Sequence, residues 1–300
     1  MTLIDLHCDH LYKLQKNFQG ELDTSIERLR AGGITAQAFA IYVEPSLSAE
    51  TAYTAAMHQV ELFHKHVLSH PDVHWVRNWP ELAERPDGKI SVFLTLEGLE
   101  CIGNELTKLD AFLDAGVLSV GLTWNPANLV ADGCGEPRGA GLTTFGRQVV
   151  ARLNERGILV DLAHIAEAGF WETLELAEFP IVSHANARAL CDHPRNLSDT
   201  QLRAMIEKGI PLHIVFYPGF ISGKDHAEID ELIAHFEHIV ALGGEDIIGF
   251  GSDFDGINIK VDGLEHAGQF PHLLERLRSS FSDDQVEKWM YKNFYRYVMG

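Results

Sequence analysis

Eight short runs of apolar, often β-branched residues recur along the whole chain and set narrow limits on its fold. They lie at 3–9, 34–43, 90–98, 116–124, 158–164, 180–185, 210–218 and 247–254. Several are almost continuously hydrophobic, which is typical of strands buried on both faces. Amphipathic segments between them predict helices, for example at 48–69, at 143–157, which ends in a glycine, and at 197–209, where Ser198 or Asp199 can cap the first turn.

Strands that alternate with helices predict an α/β protein with a parallel sheet, and eight is the number that closes into a TIM barrel. We therefore predict a single (β/α)8 domain over residues 1–300, because no linker-like tract divides the chain. An open, doubly wound sheet is the alternative. The segment from Asn125 to Thr143 is rich in glycine, asparagine and alanine, and we expect a long loop there that lines or covers a site.

Six polar residues stand at the carboxyl ends of five predicted strands. They are His7, Asp9, Glu97, His164, His184 and Asp253. In a barrel these ends form one face, on which active sites are built. For any one of the histidines, a satisfied polar residue at a strand end is the ordinary explanation. Burying all six together without a cation would be costly, so the pattern indicates a metal site.

The mixture of imidazole and carboxylate, without thiolate, suits zinc, manganese, iron or cobalt better than calcium or magnesium. A carboxylate can bridge two ions that lie roughly 3.5–4 Å apart, as in two-metal hydrolases. Glu97 is the natural bridge, since its strand lies between the two groups of ligands. The sequence thus predicts a metal-dependent hydrolase with two divalent ions.

The charge balance limits the partners. The formal net charge is −19, which repels phosphate backbones and anionic lipid, so we expect neither nucleic acid nor membrane as a partner. The four cysteines are widely spaced, and neither a signal peptide nor a membrane-spanning run is evident. We expect a cytoplasmic protein, and a homodimer is left open.

At these residues the chain closely resembles the membrane (renal) dipeptidase family of zinc metallopeptidases. The matching segments are DLHCDH, LTLEG, the ADG of NLVADG, GLTTFGRQVVARLNERGILVDLAH, IVSHANARALCDHPRNLSDTQL, GFGSDFDGI and NFYRYV. They spread from residue 5 to residue 297, and the block from Gly141 to Leu202 is the most specific. The family fold is a (β/α)8 barrel, which agrees with the strand count.

The resemblance implies two divalent ions, with zinc as the expected metal. One ion would be held by His7, Asp9 and Glu97, and the other by Glu97, His164 and His184. Asp253 would be the acid–base carboxylate, with Asp255 as the alternative. Arg195 would bind the substrate or its tetrahedral intermediate. The implied reaction is hydrolysis of a small dipeptide, including L,D-dipeptides, by a hydroxide between the two ions.

The chain departs from mammalian members at the end of the fourth strand, where they have a histidine after Leu-Thr and this chain has Trp124. An indole cannot replace a titrating imidazole, although it can donate to a carbonyl oxygen or pack against the substrate. We expect Trp124, Asn125 and Tyr217 to contact the substrate along with Arg195. Loop capping is an equal alternative for Asn125, as it is for Asn128 and Asp132, and a place in the core is the alternative for Tyr217.

Two other functions stay open at this point. Trp124 leaves room for a related binuclear amidohydrolase that acts on a different amide, a lactone or an ester. A catalytically silent binding protein on the same barrel is the other. Outside the strand ends, His213 is expected in the core, whereas His235 and His238 are expected on a solvated helix face.

Overall fold

The computed structural model describes residues 2–300, and eight parallel strands form its centre. We number them β1 to β8: Ile4–Asp5, Ala36–Tyr42, Ile90–Glu97, Val117–Gly121, Leu159–Asp161, Pro180–Ile181, Leu212–Ile214 and Ile248–Phe250. Each of β2 to β6 pairs with the strand before it, and β8 pairs with both β7 and β1. A parallel bridge between Val182 and Leu212 joins β6 to β7 and closes the ring. The closed order excludes the doubly wound alternative.

Thirteen α-helices surround or follow the strands within residues 2–300. They are α1 His10–Gln15, α2 Ile26–Ala31, α3 Ala49–Leu62, α4 Trp79–Ala83, α5 Leu106–Asp114, α6 Thr144–Glu155, α7 Glu167–Leu176, α8 Asp199–Lys208, α9 Pro218–Ile221, α10 Ile229–Ala241, α11 Phe270–Ser280, α12 Asp283–Glu287 and α13 Asn293–Met299. Shorter turns of 3-10 or π helix lie at Phe63–Val67, Glu100–Ile102, Ala267–Gln269 and Lys288–Lys292. None of the helices described is long and apolar enough to cross a membrane.

Local sequence signals fix the helix ends that were predicted. Ser198 caps α8 and forms a reciprocal capping box with Gln201, so Ser198 rather than Asp199 is the cap. Gly209 ends the same helix in the left-handed conformation, at φ 66°. Thr143 caps α6 by accepting a hydrogen bond from the Gly146 amide.

The side chains of the strands alternate between two apolar layers. Residues such as Phe93 and Leu118 belong to a small cluster inside the ring, where Phe294 of α13 also packs. Their strand neighbours, including Leu94, join the large cluster that contains the apolar faces of the surrounding helices. Glu97 lies four residues after Phe93 on the same strand face, so its side chain points into the ring at the carboxyl end.

Two features were not predicted. A short strand, Val73–Trp75, pairs with the start of β3 outside the ring. A second pair, Ala227–Glu228 with Val261–Asp262, joins the loop after β7 to the loop after β8. The long loop predicted from Asn125 to Thr143 is present between β4 and α6.

Candidate active site

The six polar residues at the strand ends lie together at the carboxyl end of the barrel, and their side chains are between 2% and 15% exposed. Two subsets have ligand atoms that all lie within 4.8 Å of one another: His7, Glu97 and His184, and His7, Asp9 and Asp253. His164 joins the first subset through Glu97, at 2.8 Å. The structure therefore brings all five predicted metal ligands and Asp253 into one cluster.

Glu97 stands at the centre of this cluster, and its two oxygens face different neighbours. Oε1 lies 2.8 Å from Nε2 of His164 and 3.6 Å from Nε2 of His184. Oε2 lies 3.7 Å from Nε2 of His7, which is in turn 3.5 Å from Oδ2 of Asp9. A carboxylate with this placement can contact two cations, one on each side.

The ring orientation of two histidines is fixed from behind. Nδ1 of His164 lies 2.8 Å from Oδ1 of Asn125, and Nδ1 of His184 lies 2.8 Å from Oγ of Ser183. An Nδ1–H that donates to Asn125 leaves the lone pair of Nε2 on His164 pointing at Glu97, as a metal-binding imidazole requires. Asn125 thus orients a candidate metal ligand.

The donor atoms fit a bound cation. Within residues 2–300, Nε2 of His7 and Oδ1 of Asp9 are buried without a hydrogen-bond partner. Nε2 of His164 and Nε2 of His184 face each other at 2.9 Å. Burial, together with the positive charges of Arg195 and His7, lowers the pKa of both these histidines well below the usual range, so both rings are neutral and able to bind a metal.

The charges of the carboxylates and of His7 affect one another's protonation. Burial alone would lower the pKa of His7, but the carboxylates of Glu97 and Asp9 raise it to about 10. Burial raises the pKa of Glu97 well above its usual range. A divalent ion would replace the proton in holding this excess of negative charge together.

Asp253 and Asp255 follow β8 and have the same backbone conformation but different surroundings. Both have left-handed φ angles, 65° and 67°, as does His164 at 67°. Such conformations cost an L-residue on the order of 1 kcal/mol or more and concentrate at functional sites. Asp253 faces the cluster, with Oδ1 3.8 Å from Nε2 of His7. Burial and the charge of Asp9 raise its pKa to about 7, against the opposing charge of His7.

Asp255 is turned away from the cluster. Its carboxylate accepts hydrogen bonds from the backbone amides of Asp23 and Thr24 and from the Thr24 hydroxyl, at 2.8, 3.1 and 2.5 Å. Both of its oxygens are therefore engaged in holding the segment after α1. Of the two aspartates, only Asp253 lines the open cavity.

A cavity of about 460 Å³ opens over the cluster. Its floor is formed by Asp9, Glu97, His164 and Asp253, and its walls by Tyr12, Tyr42, Trp124, Asn125, Tyr217, Phe220, Gly256, Ile257, Asn258 and Ile259. A space of this size suits a small ligand. Three of the predicted substrate contacts, Trp124, Asn125 and Tyr217, thus lie on the cavity.

Arg195 lies behind the cluster rather than on the cavity wall. Its side chain is buried, Nη2 donates to the carbonyl oxygen of His184 at 2.9 Å, and the guanidinium lies 5.3 Å from the centre of the Phe220 ring. Nε has no hydrogen-bond partner among residues 2–300. The hydrogen bonds among the described residues therefore do not use all the donors of this group.

Several wall residues were missed by the sequence analysis. Tyr42 is the last residue of β2 and pairs in register with Glu97, so the strand-end rule that found Glu97 could also have found it. Tyr12, Phe220, Ile257 and Ile259 lie on loops or short helices, where strand periodicity carries no information.

Other predictions have mixed outcomes. Asn128 stabilises the long loop as predicted for a loop-capping residue, since its Oδ1 accepts hydrogen bonds from the amides of Val130 and Ala131. Asp132 is also used inside the loop, where it pairs with Arg138. His235 was predicted on a solvated face, and this was wrong: it is buried, and the Ala187 amide donates to its Nδ1 while Nε2 contacts the Ile221 carbonyl oxygen. His213 lies in the core, as predicted.

A TIM barrel whose strand ends enclose a buried carboxylate with imidazoles on both sides is a metal-dependent hydrolase barrel. Within that class, the chain belongs to the membrane dipeptidase family, peptidase family M19, which it matches over residues 1–299. The predicted resemblance and the predicted enzyme class, a metal-dependent dipeptidase, are confirmed by this membership.

Similar proteins agree with this membership. A Klebsiella pneumoniae protein named as an uncharacterized protein in the pqqA 5' region is 34% identical over 71% of this chain and 82% of its own length. A Schizosaccharomyces pombe protein named as an uncharacterized dipeptidase is 27% identical over 98% of this chain and 79% of its own. A metallopeptidase from Rhodobacter sphaeroides, solved with a phosphinate mimic of the dipeptide L-Ala-D-Ala, has a TM-score of 0.92 at 25% identity and covers 100% of this chain and 99% of its own.

Proposed function

We propose that this dipeptidase uses two zinc ions and accepts L,D- as well as L,L-dipeptides. His7, Asp9 and Glu97 hold one ion, and Glu97, His164 and His184 hold the other. The observation that carries the proposal is the placement of Glu97, whose two oxygens face two separate groups of donors. The bound L-Ala-D-Ala mimic in the Rhodobacter sphaeroides metallopeptidase supports the inclusion of L,D-substrates.

The donor set decides the chemistry that a metal pair can supply. Imidazole and carboxylate suit zinc, which would lower the pKa of a water toward neutrality and polarise the scissile carbonyl. Asp253 is then the residue that accepts the proton of the attacking water and returns it to the leaving amine. Its carboxylate lines the cavity beside the cluster, where it can reach both the attacking water and the leaving amine of a bound dipeptide.

Arg195 contributes a fixed positive charge behind His184. Its donor to the His184 carbonyl oxygen orients that ligand, and its guanidinium is the group that we propose for the substrate carboxylate or the developing oxyanion. Trp124, Asn125 and Tyr217 contact the substrate from the walls.

The remaining proposals concern the setting of the enzyme. We propose that residues 1–300 act as one domain and work in the cytoplasm, which is supported by four cysteines that form no disulfide within the described residues. The net charge of −19 disfavours nucleic acid as a partner. Association into a homodimer is a separate proposal, which sedimentation of the metal-loaded protein would test.

The test is metal reconstitution with matched dipeptides. The protein is stripped with a chelator, and zinc is returned in steps while bound metal and hydrolysis of L-Ala-L-Ala and L-Ala-D-Ala are measured. We expect two ions per chain, activity that requires both, and turnover of both substrates. Saturation at one ion would contradict the metal pair, and full metal binding without hydrolysis of either dipeptide would contradict the proposed substrates.

Trp124 favours a second candidate function. Its indole takes the place of the substrate-contacting histidine that the sequence comparison led us to expect, so the same centre could act on a different amide, a lactone or an ester. The metal-loaded enzyme should therefore also be assayed with N-acetyl amino acids, a homoserine lactone and a p-nitrophenyl ester. A kcat/KM for any of these above that for every dipeptide would favour the second function.

A further inference from the structure

The walls of the cavity are strongly aromatic. On one side, Tyr12, Tyr42 and Trp124 form a continuous row, which we call the aromatic row. Ring centres lie 5.1 Å apart between Tyr12 and Tyr42, and 5.4 Å apart between Tyr42 and Trp124. A second pair, Tyr217 and Phe220, follows β7 with ring centres 4.7 Å apart. The aromatic row lies at or after the carboxyl ends of β1, β2 and β4, whereas Tyr217 and Phe220 follow β7, which lies across the closed ring from β3. The two aromatic groups therefore lie on opposite sides of the cavity.

The charges of the cavity are confined to its floor. Asp9, Glu97 and Asp253 belong to the metal-binding cluster, and no lysine or arginine is among the lining residues within the described chain. Beyond the cluster, the walls add the aliphatic side chains of Ile257 and Ile259. A substrate side chain that leaves the reacting centre therefore meets mainly aromatic and aliphatic surface and no cationic partner among the lining residues of the described chain.

The walls are held in place before any substrate binds. The Tyr12 hydroxyl donates to Oε1 of Glu44 at 2.6 Å. Gly133 packs closely against the backbone of Trp124, since a Cβ added to Gly133 would lie 2.1 Å from the Trp124 carbonyl oxygen. The loop that carries Ile257 and Ile259 is joined to the loop after β7 by the pairing of Val261 with Ala227. Preorganised walls can discriminate between ligands without a large ordering cost.

We propose that this cavity selects dipeptides that carry a large apolar or aromatic side chain. This inference rests on the proposed function and names the substrate class within it. A buried aromatic side chain removes roughly 150–250 Å² from water, and contacts with other rings add to that gain. An acidic side chain would lose hydration against the same walls and would meet no positive charge among the lining residues of the described chain.

The first test is a substrate panel with the metal-loaded wild-type enzyme. It comprises Ala-Ala, Phe-Ala, Ala-Phe, Asp-Ala, Ala-Asp and Lys-Ala, each with the second residue in the L and the D form. We expect kcat/KM for the better phenylalanine dipeptide to exceed that for Ala-Ala by about tenfold or more, and both aspartate dipeptides to fall below Ala-Ala.

Three outcomes of this substrate panel would contradict different parts of the proposal. Phenylalanine dipeptides that are no better than Ala-Ala would overturn the inference while leaving dipeptidase activity intact. Lys-Ala as the best substrate would also overturn it, because the aromatic faces would then be selecting a cation. Failure to hydrolyse any member would overturn the proposed function itself.

The second test assigns the selectivity to the walls. Trp124→Ala should lower the ratio of kcat/KM for the better phenylalanine dipeptide to that for Ala-Ala by about tenfold, mainly through KM, with metal content unchanged. Phe179→Ala is the matched control, since Phe179 is 40% exposed and precedes β6 at the opposite end of the barrel. Tyr12→Ala, at the other end of the aromatic row, repeats the test if Trp124→Ala does not fold. An unchanged ratio in the folded variant would overturn the assignment.

Discussion

The loop after β8 lies between two buried polar regions that differ in how well their hydrogen-bond donors and acceptors match. On the cavity side, Asp253 joins His7, Asp9 and Glu97, whose nitrogen and oxygen atoms approach one another at 3.5–3.8 Å. Behind it, Asp255 accepts three hydrogen bonds from Asp23 and Thr24. The two aspartates are two residues apart and share the left-handed backbone conformation.

This difference distinguishes the candidate active site from a region that only stabilises the fold. Around Asp255, donors and acceptors match, so the region is stable by itself and holds the chain in place. Around Asp253, the acceptors outnumber the donors, and buried atoms of His7 and Asp9 have no hydrogen-bond partner within residues 2–300. A buried region with such a mismatch is stable only with a bound cation or bound protons. Substitutions on the two sides should therefore have different consequences.

The largest effect is expected at Glu97. Glu97→Gln keeps the size of the side chain but removes the charge shared by the two donor groups, so both ions should be lost and activity should fall by more than the roughly 10²- to 10⁴-fold of a missing acid–base group. Metal analysis and kcat/KM on the same sample provide the measurement. Glu100→Gln, three residues later, is the control and should keep both ions. One ion retained by Glu97→Gln would contradict the bridge.

Asp253→Asn should have the next largest effect. The amide cannot accept the proton of the attacking water, so kcat should fall by about 10²- to 10⁴-fold while both ions stay bound. The measurement is kcat together with metal content at full zinc loading. Since Asp253 also lies within ligand distance of His7 and Asp9, loss of an ion would show that it binds metal instead.

Asp255→Asn tests the other side of the comparison. The new amide group would face donors that now point at a carboxylate, which should lower the free energy of unfolding by about 2–3 kcal/mol. Denaturant unfolding gives the stability, and kcat per folded enzyme should change less than tenfold. Thr24→Ser keeps the hydroxyl and is the matched control. A catalytic loss as large as that of Asp253→Asn would mean that the two regions are not separate.

The sequence predicted the barrel and the cluster for a common physical reason. Strand order and the alternation of side chains decide which residues meet at the carboxyl end. The order follows from strands that alternate with helices along the chain, and the alternation of side chains follows from the pleat of each strand. His7, Glu97 and His184 could therefore be placed together from sequence alone. Tyr12 and Phe220 could not, because their positions depend on the paths of loops. Likewise, nothing local distinguishes Asp253 from Asp255, since their difference is made by Thr24, which is 231 residues from Asp255.

His235 was placed on the wrong face although the sequence carried the signal. Leu232, Phe236 and Ile239 lie on the buried side of α10, and His235 falls within their helical spacing. The prediction placed His235 with His238 on a solvated face, whereas the periodicity of the helix indicated core. Inside the core, the ring connects the segment after β6 with the end of α9, by contacts at 3.2 Å to the Ala187 amide and 3.0 Å to the Ile221 carbonyl oxygen.

The last prediction concerns this histidine. Both of its ring nitrogens have a hydrogen-bond partner, so it can be compared with the histidines of the candidate metal site. Burial lowers the pKa of His235 to about 4. Its Nδ1 accepts the Ala187 amide, so protonation there would break that hydrogen bond. The unfolded chain takes up the proton near pH 6.5, so the stability due to His235 is present at neutral pH and is lost as the pH falls toward 4.

The loss between pH 7 and pH 5 should be about 2 kcal/mol. His235→Gln can keep one hydrogen bond but cannot titrate. We therefore expect the difference in unfolding free energy between wild type and variant, measured in denaturant on the metal-loaded protein, to shrink by that amount at pH 5. A difference that does not change with pH would show that His235 accepts a proton in the folded state, and the contrast between a paired scaffold histidine and the histidines of the metal site would then fail.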